Sequence, residues 1–219
     1  MTAAEILSND IPVLQLNETA ATALDQMAEA QLSSLPVCDG TKYVGVIREE
    51  ALLETDARQL LSNLTAFCES TAVLPTDFFL VPLKWMHLRK LNLIPVVSAE
   101  HTYLGTIRAD ELLHAAAHYT AAAEPGGIII FEMKPLHFSI SEIGRIIESN
   151  DAQIIHLNTW VEAATGMLRV AVKINKTDIH DILASFERYE YNVVQYFGEN
   201  LSEVELRDNY QHLMNYLNI

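Results

Sequence analysis

An internal repeat is the feature that most constrains the fold of this 219-residue chain. Six positions in the range 24–37 recur in the range 83–96 at one constant offset, and five positions in 45–53 recur in 105–113 at an offset longer by a single position. So constant a spacing indicates a duplicated structural unit. The matched pairs are Leu24/Leu83, Met27/Met86, Leu32/Leu91, Leu35/Ile94, Pro36/Pro95, Val37/Val96, Gly45/Gly105, Ile47/Ile107, Arg48/Arg108, Leu52/Leu112 and Leu53/Leu113.

Each copy of the repeat shows the same order of predicted elements. After a lead-in segment come a helix with one apolar stripe, an apolar strand, a turn, a second strand and a second helix. Pro36 and Pro95 lack an N–H donor and favour an edge or entry position in their strands. One copy cannot cover its own apolar face, whereas two packed copies can. The predicted ranges are 12–16, 19–30, 35–37, 43–47 and a helix from Glu49, and then 72–75, 78–90, 93–97, 103–107 and a helix from Asp110.

A change of pattern near residue 125 predicts a second domain. The last helix of the second copy runs into Pro125, Gly126 and Gly127, which stop a helix and permit a hinge. The remainder predicts the order βαββαβ, which is the ferredoxin-like arrangement. We therefore expect an α+β protein with a repeat pair at 1–124, divided near residue 60, and a ferredoxin-like domain at 127–198. Its predicted strands are 127–132, 153–162, 167–175 and 192–197, and its predicted helices are 139–149 and 177–189.

Two helix starts carry the Ser-x-x-Glu spacing of a capping box, in which a serine hydroxyl and a glutamate carboxylate each accept a backbone N–H. One is Ser139 with Glu142, at the first helix of the ferredoxin-like domain. The other is Ser202 with Glu205, which predicts a C-terminal helix within 199–219. Its apolar positions suit docking on a further surface, of the same subunit or of a partner.

The charge of the chain is strongly negative. Twenty-nine acidic side chains stand against fourteen basic ones, for a formal net charge of −15 at pH 7. Such a field repels phosphate backbones and anionic lipid surfaces, so neither nucleic acid nor a membrane is an expected partner. The range 1–10 contains no basic start and no long apolar run, and Cys38 and Cys68 form no CxxC motif. We therefore expect a cytoplasmic protein with reduced thiols.

The repeated pattern resembles the CBS domain, whose marks are an apolar-Pro-Val strand, a Gly-x-Ile strand end and a polar pair at the next helix start. Both copies carry these marks, at Pro36-Val37 and Gly45-Val46-Ile47 and again at Pro95-Val96 and Gly105-Thr106-Ile107. The βαββαβ order of the following domain is similar to that of the ACT domain. Together the domains resemble the acetoin-utilisation B-type proteins of bacteria. The resemblance implies a regulatory homodimer rather than an enzyme.

The same resemblance implies an adenosine compound, such as AMP or ATP, as the ligand. In the CBS family the motif Gly-x-Ile-Thr/Ser-x-x-Asp supplies a hydroxyl for phosphate and a carboxylate for ribose. Here Arg48 and Arg108 replace the hydroxyl, while Ala51 and Glu111 stand at the Asp position. Alanine cannot hold a ribose, whereas glutamate accepts hydroxyl protons and arginine binds phosphate in a bidentate manner. We expect ligand binding by Arg108 and Glu111, with Arg48 in an impaired first site.

Other interpretations of these residues stay open on sequence grounds. An arginine followed by acids at a helix start is also typical of a solvated cap, and this favours a scaffold that binds an unknown protein target instead of a ligand. Phe138 stands where an ACT domain has a ligand-admitting glycine, which favours a pairing role. Glu111, His114 and His118 share one helix face, but they lack the further ligands of a zinc site and favour an exposed face.

Overall fold

The computed structural model describes residues 1–198. They form two compact units, of which the first spans Met1–Tyr119 and the second begins at Thr120. Each unit combines helices and strands around its own apolar core, so the predicted α+β class is confirmed. The C-terminal helix predicted within 199–219 lies outside the described residues.

The first unit contains the elements of both repeat copies in the predicted order. The first copy supplies α1 (Ala3–Ile6), β1 (Leu14–Gln15), α2 (Ala20–Ala30), β2 (Ser34–Asp39), β3 (Lys42–Arg48) and α3 (Glu49–Leu53). Two short 3-10 turns, Leu61–Asn63 and Thr65–Phe67, connect the copies. The second copy supplies α4 (Leu80–Arg89), β4 (Leu93–Val97), β5 (Tyr103–Arg108) and α5 (Ala109–Tyr119).

The helices α2 and α4 end in the same way. Gln31 and Lys90 stand at equivalent repeat positions, and both adopt the left-handed conformation, with φ of 55° and 52°. The backbone N–H of Gln31 donates to the carbonyls of Ala28 and Met27, and that of Lys90 donates to the carbonyl of Met86. These bonds satisfy carbonyls that a helix end leaves unpaired, so both strands that follow start from the same geometry.

Each copy builds a small sheet around its proline-containing strand. β2 pairs antiparallel with β3 and parallel with β1, and β4 pairs antiparallel with β5. Pro36 faces Val46 in the middle strand of the first sheet, so the predicted edge position is wrong for Pro36, whereas Pro95 lies in β4 of the two-stranded second sheet, as predicted. Val46 directs its N–H and C=O away from Pro36 to the backbone of Glu69, and β1 begins to pair at Val37. The missing N–H of Pro36 therefore removes no ladder hydrogen bond.

The two copies meet through a buried hydrogen bond as well as through apolar packing. Ser34, in β2, is almost fully buried, and its Oγ donates to Oδ1 of Asn92, just before β4, over 3.0 Å. Asn92 also donates to the Oγ of Ser33. Because a buried hydroxyl without a partner costs about 1–3 kcal/mol, this contact favours one alignment of the copies. The apolar core of the unit consists of fully buried side chains, among them Leu14, Leu35, Ile47, Leu52, Phe79, Leu93 and Ile94.

The second unit is a four-stranded antiparallel sheet with two helices. Its elements are β6 (Ile128–Met133), α6 (Ile140–Glu148), β7 (Ile154–Val161), β8 (Leu168–Ile174), α7 (His180–Arg188) and β9 (Val193–Phe197). The sheet order is β7-β8-β6-β9, which is the ferredoxin-like topology. Phe131, Phe186 and Tyr191 pack their rings together, with centroids 4.5–5.5 Å apart.

Only half of the predicted capping box forms at the start of α6. The Oγ of Ser139 accepts the N–H of Glu142 over 3.3 Å, as predicted. The carboxylate of Glu142 instead accepts the hydroxyl of Tyr191 over 3.1 Å. Burial and the nearby Glu142 raise the pKa of Tyr191 to about 12. This hydrogen bond therefore joins α6 to the turn before β9.

Candidate functional site

The two arginines singled out in the sequence lie at equivalent strand ends. Arg48 ends β3 and precedes α3, and Arg108 ends β5 and precedes α5. The N–H of the next residue donates in each copy to the carbonyl before the proline strand: Glu49 to Ser33 over 2.9 Å, and Ala109 to Asn92 over 3.0 Å. We call the surroundings of Arg48 and the start of α3 site 1, and the surroundings of Arg108 and the start of α5 site 2.

Each site is completed by a segment that crosses over from elsewhere in the chain. In site 1, Val46 and Glu69 exchange two backbone hydrogen bonds of 2.9 Å. In site 2, Thr106 and Ser8 exchange the equivalent bonds, of 2.8 and 2.9 Å. Both crossing segments are antiparallel to the strand that they meet. Glu69 and Ser8 therefore occupy corresponding places beside the two arginines.

Glycine makes the close approach of the crossing segments feasible. A Cβ on Gly45 would lie 2.7 Å from the Cβ of Cys68 and 3.0 Å from the carbonyl oxygen of Glu69. A Cβ on Gly105 would lie 2.7 Å from a methyl group of Leu7. The Gly-x-Ile mark of each copy thus has a steric reason, because the glycine admits a segment of the chain.

In site 1 the guanidinium group of Arg48 forms two hydrogen bonds within the protein. Its Nε donates to Oε1 of Glu69 over 2.7 Å, and its Nη2 donates to the carbonyl of Arg89 at the end of α4. The side chains of Arg48 and Glu69 are 31% and 32% exposed. Site 1 is therefore closed by an ion pair that links the crossing segment to the strand end.

In site 2 the guanidinium group of Arg108 is more exposed and pairs locally. Its Nε donates to Oδ1 of Asp110 over 3.0 Å, and the two side chains are 40% and 56% exposed. This hydrogen bond lowers the pKa of Asp110 below its ordinary value. The N–H of Glu111 donates to the same Oδ1 over 3.1 Å. Within residues 1–198, Asp110 is the acidic partner of Arg108, and the crossing segment contributes Ser8 there.

The structure brings Arg108 and Glu111 together at one helix start and places Arg48 in the other site. Glu111 is exposed in the first turn of α5, and Ala51 is partly buried on α3. Site 2 thus presents a guanidinium group, the N-terminus of an 11-residue helix and a carboxylate. These groups suit a ligand with a phosphate and neighbouring hydroxyls.

Sequence reasoning missed the two crossing residues, Glu69 and Ser8. They lie outside the matched blocks of the repeat, and no motif marks them. The one signal in the sequence is the offset between the two crossing segments, which is nearly the same as that of the matched pairs. By this offset Leu7-Ser8-Asn9 corresponds to Cys68-Glu69-Ser70, and the repeat extends towards the N-terminus. The extension shows no residue identity, so only the backbone reveals the equivalence.

A separate cavity lies at the other ends of the repeat strands. Its volume is about 330 Å³, and neither arginine lines it. Tyr43 borders it and donates its hydroxyl to the carbonyl of Thr71 over 2.7 Å. Burial is the main cause that raises the pKa of Tyr43 above its usual range, so the phenol stays protonated. The other lining residues are Val44, Ser70, Ala72, Val73, Leu74, Asp77, Val97 and His101.

The ferredoxin-like domain has a cavity beside the loop between β6 and α6. Its volume is about 460 Å³, and its lining includes Lys134, His137, Glu142 and Tyr191. Phe138, which stands at the glycine position of an ACT domain in this loop, packs against the core of the domain. The cavity therefore stays open beside the loop.

The metal-ligand pattern on α5 has no completed site in the described part of the chain. Glu111, His114 and His118 are all exposed. Within residues 1–198, no group of three or more His, Cys, Asp or Glu side chains is placed to hold a metal ion. The same stretch contains no helix that is long and apolar enough to cross a membrane.

Comparison with known proteins assigns the fold of the first unit. Residues 3–58, which hold the first copy, match the family model of the CBS domain. The structure is similar to that of a CBS domain pair/ACT domain protein from Thermotoga maritima, with 21% identity and a TM-score of 0.50. That alignment covers 54% of this chain and 98% of the Thermotoga chain. The first unit thus has the fold of a CBS domain pair.

Two further solved structures align over a similar share of the chain. The CBS domains of a transcriptional regulator from Streptococcus pneumoniae show 16% identity and a TM-score of 0.46, with 52% of this chain and 98% of that chain covered. CBSX2, solved in complex with AMP, shows 20% identity and a TM-score of 0.47, with 53% and 96% covered.

Proposed function

We propose that this protein is a cytoplasmic, non-catalytic regulator that senses an adenosine nucleotide at site 2. The observation that carries the proposal is the exposure of Arg108 and its pairing with a local acid. Its side chain is 40% exposed, and its guanidinium group is paired with an acid of its own helix start, not with the crossing segment. The CBS-pair fold and the resemblance of both motifs to adenosine-binding ones support the choice of ligand.

Each group of site 2 has a role in this proposal. Arg108 exchanges the Asp110 carboxylate for a phosphate of AMP or ATP, and the N-terminus of α5 adds favourable dipoles. Glu111 accepts hydrogen bonds from the ribose hydroxyls. A local cation is required, because the net charge of −15 otherwise repels a nucleotide. Arg48 serves as the corresponding residue of site 1, where the ion pair with Glu69 opposes binding.

The proposal includes a homodimer that is paired through both units. Leu53 and Leu113 stand at equivalent repeat positions and are 66% and 69% exposed, so the duplication places the same apolar group twice on the surface. Such repeated apolar exposure favours a protein interface. In this proposal the second unit is an ACT-like pairing module, and the chain as a whole resembles the acetoin-utilisation B-type proteins. Light scattering should give the mass of a dimer at micromolar concentration.

Thermal unfolding with a panel of AMP, ADP, ATP, NAD and S-adenosylmethionine tests the sensing function. A ligand at a hundredfold excess over its Kd stabilises by about 2.7 kcal/mol. For a chain of this size the melting temperature should rise by roughly 5–10 °C. Arg108→Ala and Glu111→Ala should lose the rise, and Arg48→Ala, the matched control, should keep it. Absence of a rise with every compound at millimolar concentration contradicts the proposal.

A scaffold without a ligand is the second candidate. The observation that favours it is that Asp110 already pairs with Arg108, so the site is complete without a nucleotide. In this case the protein binds an unknown protein target through its surface. The scaffold predicts no nucleotide response for the unmodified protein and the same dimer mass for Arg108→Ala.

A further inference from the structure

We propose that the carboxylate of Glu69 occupies the anion position of site 1, so that the repeat pair binds one nucleotide and not two. This inference rests on the proposed nucleotide binding at site 2. It names Glu69, and not Ala51, as the residue that closes site 1. Alanine at position 51 removes only the contact to the ribose, whereas the carboxylate of Glu69 binds the guanidinium group of Arg48 itself.

The contacts of Arg48 are those of a guanidinium group with its ligand already bound. Oε1 of Glu69 lies 2.7 Å from Nε, which is the distance of a strong charge-assisted hydrogen bond. The carbonyl of Arg89 accepts a hydrogen bond from Nη2. These two contacts occupy the Nε–Nη2 edge of the guanidinium group, so a phosphate that binds this edge has to displace Glu69.

The backbone holds Glu69 in this place independently of its side chain. Glu69 exchanges two hydrogen bonds of 2.9 Å with Val46 in β3. The neighbouring Cys68 fits against Gly45, where a Cβ would come within 2.7 Å. A tethered group acts at a high effective concentration, on the order of millimolar or more, so the carboxylate competes persistently with any dissolved anion.

Site 2 shows the same backbone with the competing charge removed. Ser8 forms the corresponding bridge with Thr106, and its Oγ accepts the N–H of Asp10 over 3.1 Å. Arg108 pairs instead with Asp110, whose side chain is 56% exposed. An exposed ion pair contributes little stability and exchanges readily. The exchange of glutamate for serine in the crossing segment therefore separates a closed site from an open one.

Calorimetric titration with AMP tests the inference through reciprocal substitutions. We expect one AMP per chain for the unmodified protein and for Ala51→Glu, because Glu69 still closes site 1 in that variant. The double variant Ala51→Glu/Glu69→Ser reproduces site 2 within site 1 and should bind two. Ser8→Glu installs the competing carboxylate beside Arg108 and should weaken AMP binding by about tenfold or more.

The outcomes separate this inference from the proposed function. Two AMP in the unmodified protein, or one in the double variant, overturns the role of Glu69 while site 2 stands. If the unmodified protein binds no AMP, nucleotide sensing is wrong, and inorganic pyrophosphate then tests Glu69. Tighter pyrophosphate binding by Glu69→Ser than by the unmodified protein supports the inference, and equal binding overturns it. If the double variant does not fold, Ser8→Glu decides by weakening AMP binding or leaving it unchanged.

Discussion

Sites 1 and 2 share one backbone and differ in the charges around their arginines. The strand registers, the helix starts and the crossing segments correspond from copy to copy. Arg48 pairs with a glutamate from its crossing segment, whereas the crossing segment of site 2 has a serine at the same place and Arg108 pairs with Asp110. The two copies have thus kept the backbone geometry of the site, but they differ in the charge of one residue in the crossing segment, Glu69 against Ser8. A functional difference between two copies can lie in a segment that neither motif contains.

The largest effects on the free energy of unfolding should come from the apolar core that both copies share. Equivalent positions in the two copies should show effects of the same size. Leu52 and Leu112 are each 1% exposed at equivalent positions. Replacement of either by alanine leaves a cavity and should lower the free energy of unfolding by about 2–5 kcal/mol. Glu54→Ala and His114→Ala, at exposed equivalent positions two residues further along each copy, are the matched controls and should change it by less than about 0.5 kcal/mol. Urea unfolding measures all four variants, and a large effect in only one copy would contradict the shared scaffold.

Alkaline pH should lower the stability of the first unit, because the thiols of Cys38 and Cys68 are shielded from solvent in the folded state. Burial raises the pKa of both Cys38 and Cys68 to about 11, and the corresponding residues around site 2 are Val97 and Leu7, which carry no thiol. Because the folded state favours the protonated thiol, this stability is complete below the unfolded pKa of 9 and is lost as the pH rises towards 11.

The measurement is urea unfolding at pH 8 and at pH 9.5, where tyrosines of the unfolded chain are still mostly protonated and contribute little to the loss of stability. Cys38→Val places the residue of the second copy in the first and should reduce the loss of stability between these two conditions. A loss of the same size in the variant would show that Cys38 is not its source.

The two ion pairs should differ in their contribution to stability. The pair of Arg48 and Glu69 is two-thirds buried and links two segments, so a double-mutant cycle with alanine should give a coupling of about 0.5–1 kcal/mol. The pair of Arg108 and Asp110 is more exposed and lies within one turn, and its coupling should be smaller than about 0.5 kcal/mol. Equal couplings would remove the energetic distinction between the two sites.

The smallest effect concerns a single titration in site 2. The hydrogen bond from Arg108 lowers the pKa of Asp110, so the pair is stable above the ordinary carboxyl pKa and is lost as the pH falls through the lowered value. Carboxyl NMR titration of Arg108→Ala should show the pKa of Asp110 moving up towards its ordinary range. Arg48→Ala should leave it in place, and a similar change in both variants would point to a general field effect.

Local periodicity was sufficient to predict most of the fold. Apolar spacing, proline and glycine positions and helix caps predicted the repeat elements and the βαββαβ order, because each depends on neighbours close in sequence. The position of Pro36 in a middle strand was not predictable, since it depends on where β1 stops. The hydrogen bond between Glu142 and Tyr191 joins residues 49 positions apart and leaves no local pattern.

The candidate site was predictable only in its local part. Arg48, Arg108 and Glu111 follow from the motif of each copy, and the structure places them at the expected helix starts. The opposing roles of Glu69 and Ser8 depend on pairings over long sequence separations, Glu69 with Val46 and Ser8 with Thr106. Such pairings are decided by the packing of the whole unit, and a single sequence does not encode them in any short pattern.

The crossing segments also have a consequence for how the first unit can be divided. The segment around Ser8 completes a strand edge of the second copy, and the segment around Glu69 completes one of the first. Cleavage of the chain between the two copies, near residue 60, would separate each crossing segment from the strand with which it pairs. Each half would then expose an open sheet edge. The unit should therefore unfold in a single step, and two separately produced halves should recover their structure only by recombining. The repeat is duplicated in sequence, yet its two copies form one indivisible folding unit.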